Sequence, residues 1–89
     1  MPRGDRSLSY KLVYTRQARK DAKKLKGTHI AKRAKELLEL IKKRPFADPP
    51  PYEALVGDLR GAYSRRLNIK HRLVYEVLED EQTIKVLRL

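Results

Sequence analysis

The chain has 89 residues, no cysteine and only two histidines, and its 22 lysines and arginines outweigh 11 acidic residues to give a net charge of +11. This excludes disulfides and thiolate metal sites, argues against a histidine-based metal centre, and leaves room for one domain that buries about 60–65% of its unfolded surface. No stretch has the apolar length of a signal peptide or a membrane span, so a cytoplasmic protein with no membrane association is expected, and the charge calls for an acidic partner, nucleic acid or protein.

Residues 1 to 9 lack periodicity and are expected to be a flexible lead-in. Tyr10 to Tyr14 (YKLVY) is short, aromatic and β-branched, and reads as a first strand. Thr15 can cap the helix that follows, in which Ala18, Ala22 and Leu25 make a thin apolar stripe between Arg16 and Lys26. Gly27 can take the left-handed conformation that ends a helix, and Thr28 offers a second cap. Ile30, Ala34, Leu37, Leu38 and Ile41 then recur at helical spacing until Lys42-Lys43-Arg44, whose charges suit the helix C-terminus, and Pro45 stops the run. A turn this short makes the two helices antiparallel.

Phe46 is expected to anchor the next loop in the core, and Pro49-Pro50-Pro51 to form a stiff extended connector. Tyr52-Glu53-Ala54-Leu55 leads to Gly57 and Gly61, which punctuate the approach to the most informative stretch, Tyr63 to Val77. There, two alternating runs flank Asn68-Ile69-Lys70, the pattern of a hairpin with a three-residue loop. Closing it between Leu67 and His71 sets Arg66 opposite Arg72, Arg65 opposite Leu73 and Tyr63 opposite Tyr75. Tyr63, Leu67, Leu73, Tyr75 and Val77 then share one face, and Ser64, Arg66, Arg72 and Glu76 the other. Like charges facing each other across a strand pair are destabilising, so the arginine pair either is a solvated surface or holds an anion. After a polar turn, Glu79 to Gln82, the last strand is Thr83 to Leu89. The order β-α-α-β-β-β defines an α+β fold, a twisted, mainly antiparallel sheet with a helix pair on one face.

Ser64-Arg65-Arg66, His71-Arg72-Leu73-Val74-Tyr75-Glu76-Val77, Arg44-Pro45-Phe46 and Tyr52-Glu53-Ala54-Leu55 together resemble the Txe/YoeB branch of the RelE-type bacterial toxins, from Tyr10 to Leu89. The resemblance implies a single toxin domain over residues 1–89 with a RelE-like microbial-ribonuclease fold. It further implies ribosome-dependent messenger RNA cleavage in the A site and neutralisation by a cognate acidic antitoxin. It assigns the general base to Glu53 and the scissile-phosphate clamp to Arg66 and Arg72, with no cofactor and no metal because guanidinium supplies the positive charge. Members of the family typically continue past the position of Leu89 to a His-Tyr pair, and a chain without it is expected to cleave weakly. The alternative is a variant that binds ribosome or antitoxin without cutting.

Secondary RNA contacts are expected from Arg65, Tyr63 and Lys70 around the hairpin and from Arg16, Arg19, Lys20, Lys23 and Lys24 on the first helix, where phosphates would supply affinity without sequence information. Tyr52 is a further candidate for stacking on a base. Each has a simpler reading as packing or as a solvated charge.

Overall fold

A computed structural model describes residues 9–89, so the expected lead-in lies, apart from Ser9, outside the described residues. The elements are β1 (Lys11–Tyr14), α1 (Arg16–Leu25), α2 (His29–Lys43), β2 (Glu53–Ala54), β3 (Ala62–Arg66), β4 (Arg72–Leu78) and β5 (Thr83–Arg88). They form a five-stranded sheet in the order β1-β5-β4-β3-β2.

Local chemistry fixes both helix starts. The Thr15 hydroxyl accepts from the Ala18 amide at 3.0 Å, and that of Thr28 from the Ala31 amide at 3.3 Å, each satisfying one of the free donors of a first turn. Gly27, between the helices, has φ +84°, a conformation an L side chain would strain. Ala18, Leu25, Ala34, Leu37 and Ile41 are buried against Leu67, Leu73, Tyr75, Ile84 and Val86, so both helices cover one face of the sheet.

The hairpin takes the expected register, with Tyr63 opposite Tyr75, Arg65 opposite Leu73 and Arg66 opposite Arg72. The Leu67 amide donates to the His71 carbonyl at 2.8 Å across the loop. Asn68 stiffens the loop, because its Oδ1 accepts from the amides of Lys70 (2.9 Å) and His71 (2.7 Å).

The α+β class, with a helix pair on one face of a mainly antiparallel sheet, is as expected, and three details add to it or depart from it. β1 pairs with β5 in parallel, so the sheet is mixed. The whole chain between the two strands serves as crossover, and no short loop forces them antiparallel. A fifth strand, the two residues of β2, adds to the β3 edge with Glu53 opposite Ser64. Phe46 does not enter the core: it is 39% exposed, while its neighbour Pro45 is the buried residue.

The end of β5 is fastened to α1 by one carboxylate. Asp21 Oδ1 accepts from Gln17 Nε2 at 2.9 Å, and Oδ2 from the Leu89 amide at 3.1 Å and from Arg88 Nε at 3.2 Å. Burial alone would raise the Asp21 pKa, but these donors together with the Arg88 charge outweigh it and hold the carboxyl below its ordinary value. A folded pKa below the unfolded one gives stability that is present above the unfolded value and lost as the pH falls through the folded one. Asp21→Asn should therefore lower unfolding free energy at pH 7 by about 1–3 kcal/mol. In denaturant titrations the difference from the parent should shrink as the pH drops below about 3.9. A gap that stays constant from pH 7 to pH 2 would remove the carboxylate from the account.

Candidate active site

The alternation of β3 divides three consecutive residues between two surfaces. Ser64 and Arg66 point away from the helices, and Arg65, between them, points into the protein. Arg72 on β4 and Glu53 on β2 share the face of Ser64 and Arg66, because Arg72 is the cross-strand neighbour of Arg66 and Glu53 that of Ser64. Pro51 and Tyr52 complete a cleft of about 320 Å³ lined by these six residues.

Inside it, Arg72 Nη1 lies 3.0 Å from Glu53 Oε1 and 3.3 Å from Ser64 Oγ. The side chains of Arg72 and Glu53 are 45% and 68% exposed, so their ion pair is worth no more than about 1 kcal/mol. Arg66 is exposed and has no ion-pair partner among the described residues. The cleft thus brings together a carboxylate, a hydroxyl and two guanidinium groups, one of them uncompensated. Such a set attracts an anion with several acceptor oxygens, and leaves a carboxylate beside it to accept a proton.

The connector that delivers Glu53 is held from below by Arg65. Its Nη1 donates to the Pro50 carbonyl at 2.6 Å, its Nη2 to the Pro45 carbonyl at 3.0 Å and its Nε to the Tyr75 hydroxyl at 3.0 Å. The guanidinium carbon stands 5.0 Å from the centre of the Tyr52 ring. Tyr75 in turn donates to the Pro45 carbonyl at 2.7 Å. Burial raises the Tyr75 pKa more than the bond and charge of Arg65 lower it, which keeps the phenol protonated for that donation.

The expected triad of Glu53, Arg66 and Arg72 is therefore assembled in one cleft. Two other expectations are corrected. Arg65 is only 1% exposed and spends its donors on backbone carbonyls and a phenol, so it is not an RNA contact. Tyr63 lies on the Arg65 face, with its ring 5.0 Å from Phe46, 5.8 Å from Tyr52 and 6.0 Å from Tyr75. An aromatic cluster occupies it, and Tyr52 is the ring that borders the cleft.

Lys70 is exposed in the hairpin loop without lining the cleft. Arg16, Arg19, Lys20, Lys23 and Lys24 are exposed on α1, which packs against β1, β5 and α2 rather than beside β2 and β3. Ser64 was missed as a site residue although its parity with Arg66 could have marked it.

The fold and the site define a class first. A two-helix, five-strand sheet of this topology is that of the RelE-type toxins: the toxin-antitoxin complex RelBE of Escherichia coli superposes with a TM-score of 0.70 at 22% identity, a likeness of fold. Closer similarity narrows it. The family described as YoeB-like toxin of bacterial type II toxin-antitoxin system matches residues 14–89, and the chain belongs to that family. Toxin YoeB of Streptomyces coelicolor is 40% identical over 55 residues, 62% of this chain and 66% of the relative. Toxin YoeB of Escherichia coli K12 is 37% identical over 59 residues, 66% of this chain and 70% of the relative. The YoeB/ParE toxin of Agrobacterium tumefaciens superposes with a TM-score of 0.80 at 31% identity, covering 88% of this chain and 93% of that one. The YoeB-YefM complex of Staphylococcus aureus does so with a TM-score of 0.76 at 33% identity, covering 89% and 92%.

If Arg65 holds the connector, Arg65→Ala should destabilise the protein by about 3–5 kcal/mol, since it leaves the Pro50 carbonyl without its donor and opens a cavity beneath the prolines. Arg66→Ala, one residue away, should change stability by less than about 0.5 kcal/mol. Urea unfolding of the two variants checks this, and similar midpoints would refute it.

Proposed function

We propose that this protein is a translation-inhibiting endoribonuclease that acts in the cytoplasm on messenger RNA in the ribosomal A site. The observation that carries this reading is the juxtaposition of Glu53 with Arg72, 3.0 Å apart, and with Arg66 across the strand pair, in an open cleft. Arg66 and Arg72 take the scissile phosphate, and the phosphate displaces the Glu53 carboxylate from Arg72. Glu53 then removes the proton of the neighbouring ribose 2′-hydroxyl. The 2′-oxygen attacks phosphorus, the bond to the 5′-oxygen breaks, and a 2′,3′-cyclic phosphate and a 5′-hydroxyl result. Charge that builds on the phosphoryl oxygens meets two fixed guanidinium groups, the electrostatic part of the catalysis. The cleft is open, and the departing oxygen takes its proton from water.

The proposed regulator is an acidic antitoxin. A net charge of +11 favours rapid capture by such a partner, and a related toxin of Staphylococcus aureus forms a complex with YefM. The exposed basic face of α1 is proposed to meet ribosomal RNA, on the other layer from the cleft. No helix among the described residues is long and apolar enough to cross a membrane.

In a purified translation reaction with the messenger mapped for cuts, Glu53→Gln should reduce cleavage by about 10²–10⁴. Arg66→Ala and Arg72→Ala should each reduce it by about 10²–10³. All three should fold like the parent, because the ion pair is too exposed to support the core. Cleavage that survives Glu53→Gln would disprove the assignment of the base. Translation arrest by the parent chain without any cut would favour a binding inhibitor instead.

A further inference from the structure

A second groove, of about 460 Å³, begins where the cleft ends. It runs between the hairpin loop, the proline connector and α2, and it shares Pro51 and Arg66 with the cleft. Arg33 of α2, Pro50, Leu67, Asn68 and Ile69 complete its lining. Its volume is in the range of about 300–1,000 Å³ typical of sites for small ligands.

Its chemistry is not that of an ordinary surface. Two arginines border it, neither has an ion-pair partner among the described residues, and no acidic residue lines it. Ile69 is 91% exposed and offers an apolar surface at the groove. Asn68 lines the groove and has its Oδ1 committed to two backbone amides, so its amide nitrogen is the donor left to the side chain. The Pro50 carbonyl is fixed by the buried Arg65, so this wall is rigid. Two arginines without acidic partners, an apolar patch and one polar donor suit a nucleotide: phosphate, base face and base edge.

We propose that this groove is a second RNA subsite, which holds the nucleotide next to the cleavage position. Arg66 lies between the scissile phosphate and the next one, Arg33 grips that next phosphate, and the base rests on Ile69 and Pro51. The proposal rests on the reading of the cleft as the scissile-phosphate site, because the groove is its continuation. It makes Arg33 an RNA-binding residue and gives the strand a path around the end of the sheet.

The test uses fluorescein-labelled, fully 2′-O-methylated RNA, which cannot be cut, as a hexanucleotide in anisotropy titrations and as a dinucleotide in nuclear magnetic resonance titrations. Arg33→Ala should weaken hexamer binding about five- to tenfold, the loss of one charge-assisted bond. It should also reduce the slope of log K against log salt by about 0.7, one phosphate of a single strand. The dinucleotide should bind Arg33→Ala and parent alike. Arg33→Lys should recover much of the hexamer affinity. Lys35→Ala, which removes the same charge from another face of α2, should leave the hexamer within twofold of the parent.

Equal losses for Arg33→Ala and Lys35→Ala would reduce the effect to general charge and overturn the proposal. So would an unchanged salt slope, or no binding of the hexamer. An acidic peptide that binds through Arg33 where RNA does not would assign the groove to a protein partner and likewise overturn it. The reading of the cleft fails separately, if Arg66→Ala and Arg72→Ala leave dinucleotide binding untouched.

Discussion

A buried guanidinium with no carboxylate beside it is the constraint on which the site depends. Moving such a charge out of water is strongly unfavourable unless its donors are satisfied. Arg65 meets this with two proline carbonyls, a phenol and the face of Tyr52. Apart from the Tyr75 phenol on β4, those partners are spread along the connector between α2 and β2, a stretch with little regular structure of its own. One side chain thus fixes both ends of a loop that would otherwise have no reason to adopt a single path. Glu53 inherits its position from that loop.

The neighbouring arginines show how sharply strand parity divides roles. Arg65 and Arg66 are chemically identical and adjacent, yet one is sealed in the core and the other is exposed in the cleft. A one-residue slip of β3 against β4 would exchange them, burying Arg66 and exposing Arg65. The register is defended from two directions. The Leu67-to-His71 bond and the Asn68 side chain set the loop, and the pairing of Tyr63 with Tyr75 within the aromatic cluster sets the far end.

Much of this was legible in the chain. Thr15 and Thr28 mark helix starts with their own hydroxyls, and the length of the Asn68-Ile69-Lys70 loop fixes the register, because both are local effects. Failures cluster where long-range closure decides. A strand of two residues carries no periodicity, so β2 is visible only once β3 offers an edge. The parallel pairing of β1 with β5 joins the two ends of the described chain and leaves no turn signature. Arg65 reads as an exposed charge because a charged residue is ordinarily outside, although strand alternation sets it opposite buried Leu73. Tyr63 suggests a ring for stacking on a base, but the rings of Phe46, Tyr52 and Tyr75 take the place of that base. Arg33 carries no signal at all until α2 is docked beside the hairpin loop.

The ion pair between Glu53 and Arg72 is weak because it is exposed, and under the proposed function that weakness is useful to the chemistry. Two arginines facing each other repel, and in the free protein the Glu53 carboxylate relieves part of that repulsion from the Arg72 side. A phosphate supplies more acceptor oxygens and bridges both arginines, so it can displace a partner held by no more than about 1 kcal/mol. Were the cleft braced by this ion pair, displacing it would loosen the site at the moment it must be most ordered. The bracing comes instead from Arg65 on the opposite face, where solvent and substrate do not reach. Glu53 can therefore exchange its partner without losing its place, and the surface proposed to bind the anion is mechanically independent of the contacts such an anion would break.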